Sequence, residues 1–109
     1  MKLAIIGSRN CTSVNIAQYI TERPTVVISG GARGVDTLAA EYAHREGIEL
    51  QEYLPDYKKH LRGAPIRRNE EMVKACDKVL AFWDMKSKGT KYTIEYARKH
   101  GKEVTVIAV

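Results

Sequence analysis

The sequence predicts an α/β fold of three layers: a Rossmann-like parallel sheet of about five strands with helices on both faces. Three observations lead there. Continuous apolar runs, Leu3-Ala4-Ile5-Ile6, Val26-Val27-Ile28 and Val79-Leu80-Ala81-Phe82-Trp83, recur along the chain. A run without polar interruption suits a central parallel strand covered on both sides. Between the runs lie segments with helical apolar spacing, and strands alternating with helices imply right-handed crossovers that lay the helices on both faces. Finally, the glycine-rich and basic loops all follow predicted strands, whereas the connections around Arg23, Glu46, Asp77 and Lys102 are ordinary charged turns. Residues 1–109 are expected to form one domain.

The first strand, Leu3 to Ile6, ends in Gly7-Ser8-Arg9. Thr12 or Ser13 is expected to cap a helix that turns Ile16, Ala17 and Ile20 inward and stops at Pro24. The second strand, Val26 to Ile28, breaks at Ser29-Gly30-Gly31-Ala32-Arg33-Gly34. Val35, Leu38, Ala39, Tyr42 and Ala43 then share one helical stripe, which ends near Gly47, a natural left-handed cap. Ile48 to Leu54 alternates apolar and polar residues, as an edge strand does. Pro55 to Arg68 is polar and basic, with Lys58, Lys59, Arg62, Arg67 and Arg68 set against Asp56 alone. A third helix over roughly Ile66 to Ala75 leads to the strand Lys78–Trp83. Asp84 to Thr90 turns into a helix carrying Ile94 and Ala97 inward to Gly101, and Val104 to Val109 is the last strand.

Hydrophobic content of 44% and charged content of 28% are those of an ordinary globular chain. No apolar stretch approaches the roughly 20 residues of a membrane span. The N-terminal apolar segment is too short for a signal peptide, so a cytoplasmic location is expected and no membrane partner. Cys11 and Cys76 lack a CxxC partner or a His at ligand spacing, so neither a metal site nor a disulfide framework is indicated, and no cofactor is implied. The net charge of +5 permits an anionic partner without naming one.

The stretch that carries the chemistry is Ser29 to Asp36. A strand feeding a helix through Gly30, Gly31 and Gly34 leaves backbone N–H groups unscreened at a helix N-terminus, which makes an anion site in preference to a mere tight turn that uses glycine for its positive φ. Arg33 adds a planar fork for a phosphate or carboxylate. Ser8 and Ser29 lie at the tips of neighbouring strands, set either to donate to a phosphate or ribose or to cap their own turns. Arg9 is placed either to pair with a ligand phosphate or to close a surface ion pair. Asp36 suits the first helical turn on dipole grounds, or holds Arg33 or a ribose hydroxyl. Asn69 should face inward on the third helix, where a ligand rim supplies its partners. Gly89-Thr90 repeats the glycine logic at a second helix N-terminus, as a second phosphate site or as a plain glycine turn with a threonine cap. Trp83 either stacks on a base or covers the sheet end.

Ser29-Gly30-Gly31-Ala32-Arg33-Gly34-Val35-Asp36, Arg68-Asn69 and Lys88-Gly89-Thr90 resemble the SLOG superfamily, most nearly its small stand-alone YspA/YpsA-type members, and the resemblance covers the whole chain. That superfamily includes the Rossmann domain of the Smf/DNA-processing protein A group and the "Lonely guy" phosphoribohydrolases. The resemblance implies a pocket for a nucleotide or nucleotide derivative. Its binding set is Gly7, Ser8, Arg9, Ser29, Gly30, Gly31, Arg33, Gly34, Asp36, Arg68, Asn69, Gly89 and Thr90. The phosphoribohydrolases carry Pro-Gly-Gly-x-Gly-Thr-x-x-Glu, whereas here Thr93 stands at the Glu position and Glu95 is rotated about 200° away on the helix. The reading therefore leans towards binding over hydrolysis. The alternatives are cleavage of a nucleoside monophosphate, with Asp36 or Glu95 replacing that Glu, and single-stranded DNA binding through the 58–68 loop and the glycine rim. The resemblance also implies self-association, with no interface identifiable in the sequence.

Overall fold

The structure, a computed structural model, describes residues 1–109. Its strands are β1 (Lys2–Gly7), β2 (Val26–Ser29), β3 (Glu49–Glu52), β4 (Lys78–Trp83) and β5 (Glu103–Ala108), and its helices are α1 (Val35–Glu46), α2 (Tyr57–His60), α3 (Ala64–Ala75) and α4 (Lys88–Lys99). The strands form one parallel sheet in the order β3-β2-β1-β4-β5. Strand order reverses between β1 and β4, and in such sheets the crevice beyond the carboxyl ends at that switch point is where ligands bind. No helix is long and apolar enough to cross a membrane.

The period-2 alternation of the strands divides the interior into two cores. Leu3, Ile5, Val27, Leu80 and Phe82 point to one face, where Val35, Ala39, Tyr42 and Ala43 of α1 cover them. Ala4, Ile6, Val26, Ile28, Val79 and Ala81 point to the other, under Met72 and Val73 of α3 and Ile94 and Ala97 of α4. Each large side chain so buried contributes about 1.5–3 kcal/mol relative to exposure. The expected layers are therefore present, with both faces covered.

Three local expectations differ. The segment expected to be the first helix contains only a 3₁₀ turn, Ile16–Tyr19, and neither Thr12 nor Ser13 caps it. Cys11, Val14, Ile16, Tyr19 and Ile20 all pack on the first core while Ala17 is exposed, a spacing no single α-helical face satisfies. Tyr19 meets Phe82 edge-to-face at 5.6 Å between ring centroids. Tertiary packing thus overrides the local pattern. The edge strand is shorter than the alternating segment, at Glu49–Glu52. The third helix begins two residues earlier, at Ala64, because Pro65 occupies its first turn, where a missing N–H is harmless.

Candidate functional site

The loops leaving β1, β2 and β4, together with the start of α3, enclose a cavity of about 750 Å³ at the carboxyl edge of the sheet. Its size falls within the usual range for small-molecule sites, and most of the residues lining it are polar or glycine. Gly7, Ser8, Arg9, Gly30, Arg33, Asp36, Arg68, Asn69, Gly89 and Thr90 line it. Gly31 instead lines a smaller neighbouring cavity of about 320 Å³, bounded also by Pro55 and Tyr57, which shares Arg9, Gly30, Arg33 and Arg68 with the larger one. Ser29 and Gly34 line neither. Ser29 is fully buried, its Oγ 3.5 Å from the Gly31 N–H.

Close backbone approach explains two of the glycines. A Cβ on Gly7 would lie 2.5 Å from both the Phe82 carbonyl oxygen and Val35 Cγ2, so a larger residue would push α1 off the end of β1. Gly34, with φ +77°, lies against the backbone of Arg9, locking the first loop to the second.

The amides of the glycine loop are partly taken from within. The Ala32 N–H donates to Asp36 Oδ2 at 3.0 Å, which corrects the expectation that the whole loop is left uncovered. The physical reason is position: at the second residue of α1 the carboxylate folds back over the preceding turn. Burial pushes the Asp36 carboxyl above its usual range, outweighing the opposing pull of the Ala32 N–H and the Arg68 charge. The N–H groups of Arg33 and Gly34 meet no acceptor in the chain.

Arg68 is buried, with only 6% of its surface exposed. Its Nη1 donates to the carbonyls of Gly30 and of Tyr53, the latter at 3.2 Å, and its Nε donates to Asn69 Oδ1 at 2.7 Å. It therefore ties the glycine loop to the exit of β3, and burial lowers its pKa despite nearby Asp36. Asn69 in turn donates to Thr93 Oγ1 at 2.9 Å, and Thr93 donates to the Gly89 carbonyl at 2.8 Å, which joins α3 to α4. Thr93 lines the cavity, while Glu95 is exposed and outside it.

On the far side, the Ser8 hydroxyl accepts the Asp84 N–H at 3.2 Å. Asp84 Oδ1 accepts the N–H groups of Ser87 at 2.7 Å and Lys86 at 2.9 Å, and those two bonds hold its carboxyl below the usual range. The first turn of α4 carries no acid and no side-chain cap, and the N–H groups of Lys88, Gly89 and Thr90 meet no acceptor. Nothing lies within 4 Å of where a Gly89 Cβ would stand. Trp83 packs on the second core with its Nε1 donating to the Ser87 carbonyl at 3.0 Å, so it covers the sheet end. Arg9 and Arg33 are exposed at the cavity.

The binding set read from the sequence leaves out Asn10, Pro65, Met72, Asp84, Ser87 and Thr93, which also form the wall. Helical spacing from residues already chosen carried a signal for three of them: Pro65 and Met72 lie four before and three after Asn69, and Thr93 lies four after Gly89.

A family model described as YAcAr, the YspA, cpYpsA-related SLOG family, matches residues 1–60. The Gene 61 protein of Mycobacterium phage D29 is 39% identical over 82 residues, covering 70% of this chain and 66% of that protein. The X-ray structure of DNA processing protein A from Streptococcus pneumoniae is similar to 99% of this chain with a TM-score of 0.81, over 50% of its own length and at 23% identity. That likeness is one of fold. The chain thus spans about half to two thirds of these two relatives.

Proposed function

Since this chain belongs to the YspA, cpYpsA-related SLOG family, we propose that it is a binding module holding a nucleotide or nucleotide derivative by its phosphate. One observation carries the reading. Separate loops converge on a polar cavity where exposed Arg9 and Arg33 and the unpartnered amides of Gly89 and Thr90 are available to an anion. Charged forks and helix N-termini are the groups that recognise phosphate. The Asn69–Thr93 pair, neutral where a hydrolase would need an acid, favours binding over glycosidic cleavage. Two free cysteines suit the cytoplasmic location that belongs to this reading.

Calorimetry with a panel of purine and pyrimidine nucleoside monophosphates tests it. Arg33→Ala should weaken the ligand's binding about 10-fold or more, the worth of one charge-assisted hydrogen bond. Binding of every nucleotide as tightly by Arg33→Ala as by the wild type would refute the site.

A second reading rests on α2 and the turn after it. Tyr57, Lys58, Lys59 and Arg62 are exposed there, beside the smaller cavity that shares the three arginines. Base stacking on Tyr57 with phosphates on the basic residues would suit single-stranded DNA. Affinity for an oligonucleotide should then fall steeply with salt and again when Lys58, Lys59 and Arg62 are neutralised. A salt-indifferent affinity would exclude it.

A further inference from the structure

We propose that Asp36 is the sugar-recognising residue of the cavity: its carboxylate accepts hydroxyls of the ligand's ribose and selects ribonucleotides over 2′-deoxyribonucleotides. The inference rests on the nucleotide reading above and assigns one end of the ligand.

Two acids stand in the cavity wall, Asp36 and Asp84, and they differ in what they have left to offer. Asp84 Oδ1 is held by two backbone N–H groups, and the Ser8 and Asn10 side chains stand against the same carboxylate. Asp36 accepts one backbone N–H directly, that of Ala32 on Oδ2, with the Gly30 N–H and the Ser29 side chain near the same carboxylate, so it keeps more accepting capacity than Asp84. Three neutral acceptors nearby are in use. Asn69 Oδ1 takes the Arg68 Nε–H, Ser8 Oγ takes the Asp84 N–H, and the Gly89 carbonyl takes the Thr93 hydroxyl. A ligand hydroxyl entering this cavity therefore finds its strongest open acceptor at Asp36.

Charge decides which part of the ligand goes there. A phosphate placed against the Asp36 carboxylate would be repelled in a site of reduced dielectric. At the start of α4 there is no acid, and Lys88 and Lys91 flank the free amides. The N-termini of α1 and α4 are thus unlike: one presents a carboxylate and the other bare N–H groups. A nucleotide has one part for each, hydroxyls that donate and a phosphate that accepts.

The carboxylate is also held in place. Asp36 Oδ2 and Arg68 Nη1 lie 3.0 Å and 2.6 Å from where a Gly30 Cβ would stand, so both groups close over Gly30 because it has no side chain. Arg68 is itself fixed by the carbonyls of Gly30 and Tyr53. Such fixed acceptors discriminate well, because a ligand lacking the hydroxyl leaves a half-buried carboxylate without its partner.

The test is calorimetric titration of the wild type with AMP, dAMP, GMP and dGMP, repeated on Asp36→Asn and Asp36→Glu. A hydrogen bond to a charged group corresponds to roughly a 10- to 100-fold preference for the ribose form in the wild type. Asp36→Asn still accepts the Ala32 N–H, and it should bring the ribose and deoxyribose forms within about 3-fold by removing most of that charge-assisted bond. Asp36→Glu, which displaces the charge, should narrow the ratio as well and guards against a folding defect in the first variant. Equal binding of both sugars by the wild type, or a ribose preference that survives Asp36→Asn, would overturn the assignment and leave the nucleotide reading standing. Failure of all four nucleotides to bind the wild type would overturn both.

Discussion

Gly34→Ala should be the most damaging single methyl that can be added to this chain's loops. Two independent penalties meet there. At φ +77° and ψ −126° the backbone is in a region that L-residues avoid, at a cost of about 1–3 kcal/mol. The new Cβ would also stand 2.6 Å from the carbonyl carbon of Arg9 and 2.7 Å from its Cα. Those are backbone atoms and cannot swing aside, so overpacking adds about 1–3 kcal/mol. The sum, roughly 2–6 kcal/mol, removes a large part of the roughly 5–15 kcal/mol expected of a domain this size. At about 4–8 °C per kcal/mol the midpoint of that range lowers the melting temperature by roughly 15–30 °C. Gly47→Ala isolates the backbone contribution. Gly47 is also left-handed, at φ +66° and ψ +31°, but nothing lies within 4 Å of its would-be Cβ, so about 1–2 kcal/mol should be lost. Urea denaturation followed by circular dichroism measures both, with equal slopes confirming a shared unfolding transition. A Gly34→Ala loss no larger than that of Gly47→Ala would refute the claim that Gly34 exists to let Arg9 approach.

Arg68→Met keeps most of the aliphatic stem but removes the bonds to the Gly30, Tyr53 and Asn69 oxygens, so a loss of about 2–4 kcal/mol is expected in the same urea assay. A loss below about 0.5 kcal/mol, the level of a change at a bland surface site, would mean the guanidinium does not pin the glycine loop. The two cavity acids should respond to pH with opposite signs. Asp84 has a depressed native pKa, so its stabilisation is present above the unfolded value of about 3.9 and is lost as pH falls through the native value. The deficit of Asp84→Asn relative to wild type should accordingly shrink on acidification. Asp36 has a raised native pKa, so its ionisation removes stability as pH rises from about 4 through the native value. Asp36→Asn should therefore gain on the wild type across that window, and thermal melts that show both variants moving in the same direction would contradict these environments.

The periodicities of the chain were enough to determine its layers. Leu3 to Ile6 and Val26 to Ile28 are apolar at every position because both faces of the sheet are covered, and the stripe Val35, Ala39, Tyr42, Ala43 can only bury itself as a helix. Glycines and basic residues placed after strands pointed to the edge of the sheet where the cavity lies, since parallel topology brings all those loops to one side. Arg68 was legible in part: it lies on the stripe with Ala64, Met72 and Ala75 that faces the sheet, unlike exposed Lys58, Lys59, Arg62 and Arg67. Other features were settled only by tertiary structure. The 11–20 segment has helical-looking spacing, but the core surface built from the sheet and α1 decides which of its residues are buried. The direction of the Asp36 carboxylate depends on Gly30 and on Arg68, which is 32 residues away in the chain. Local sequence encodes the hydrophobic period of an element because neighbours on a face are near in the chain. Where a polar side chain finds its partner is decided by groups that only folding brings together, and that is where the character of this cavity is set.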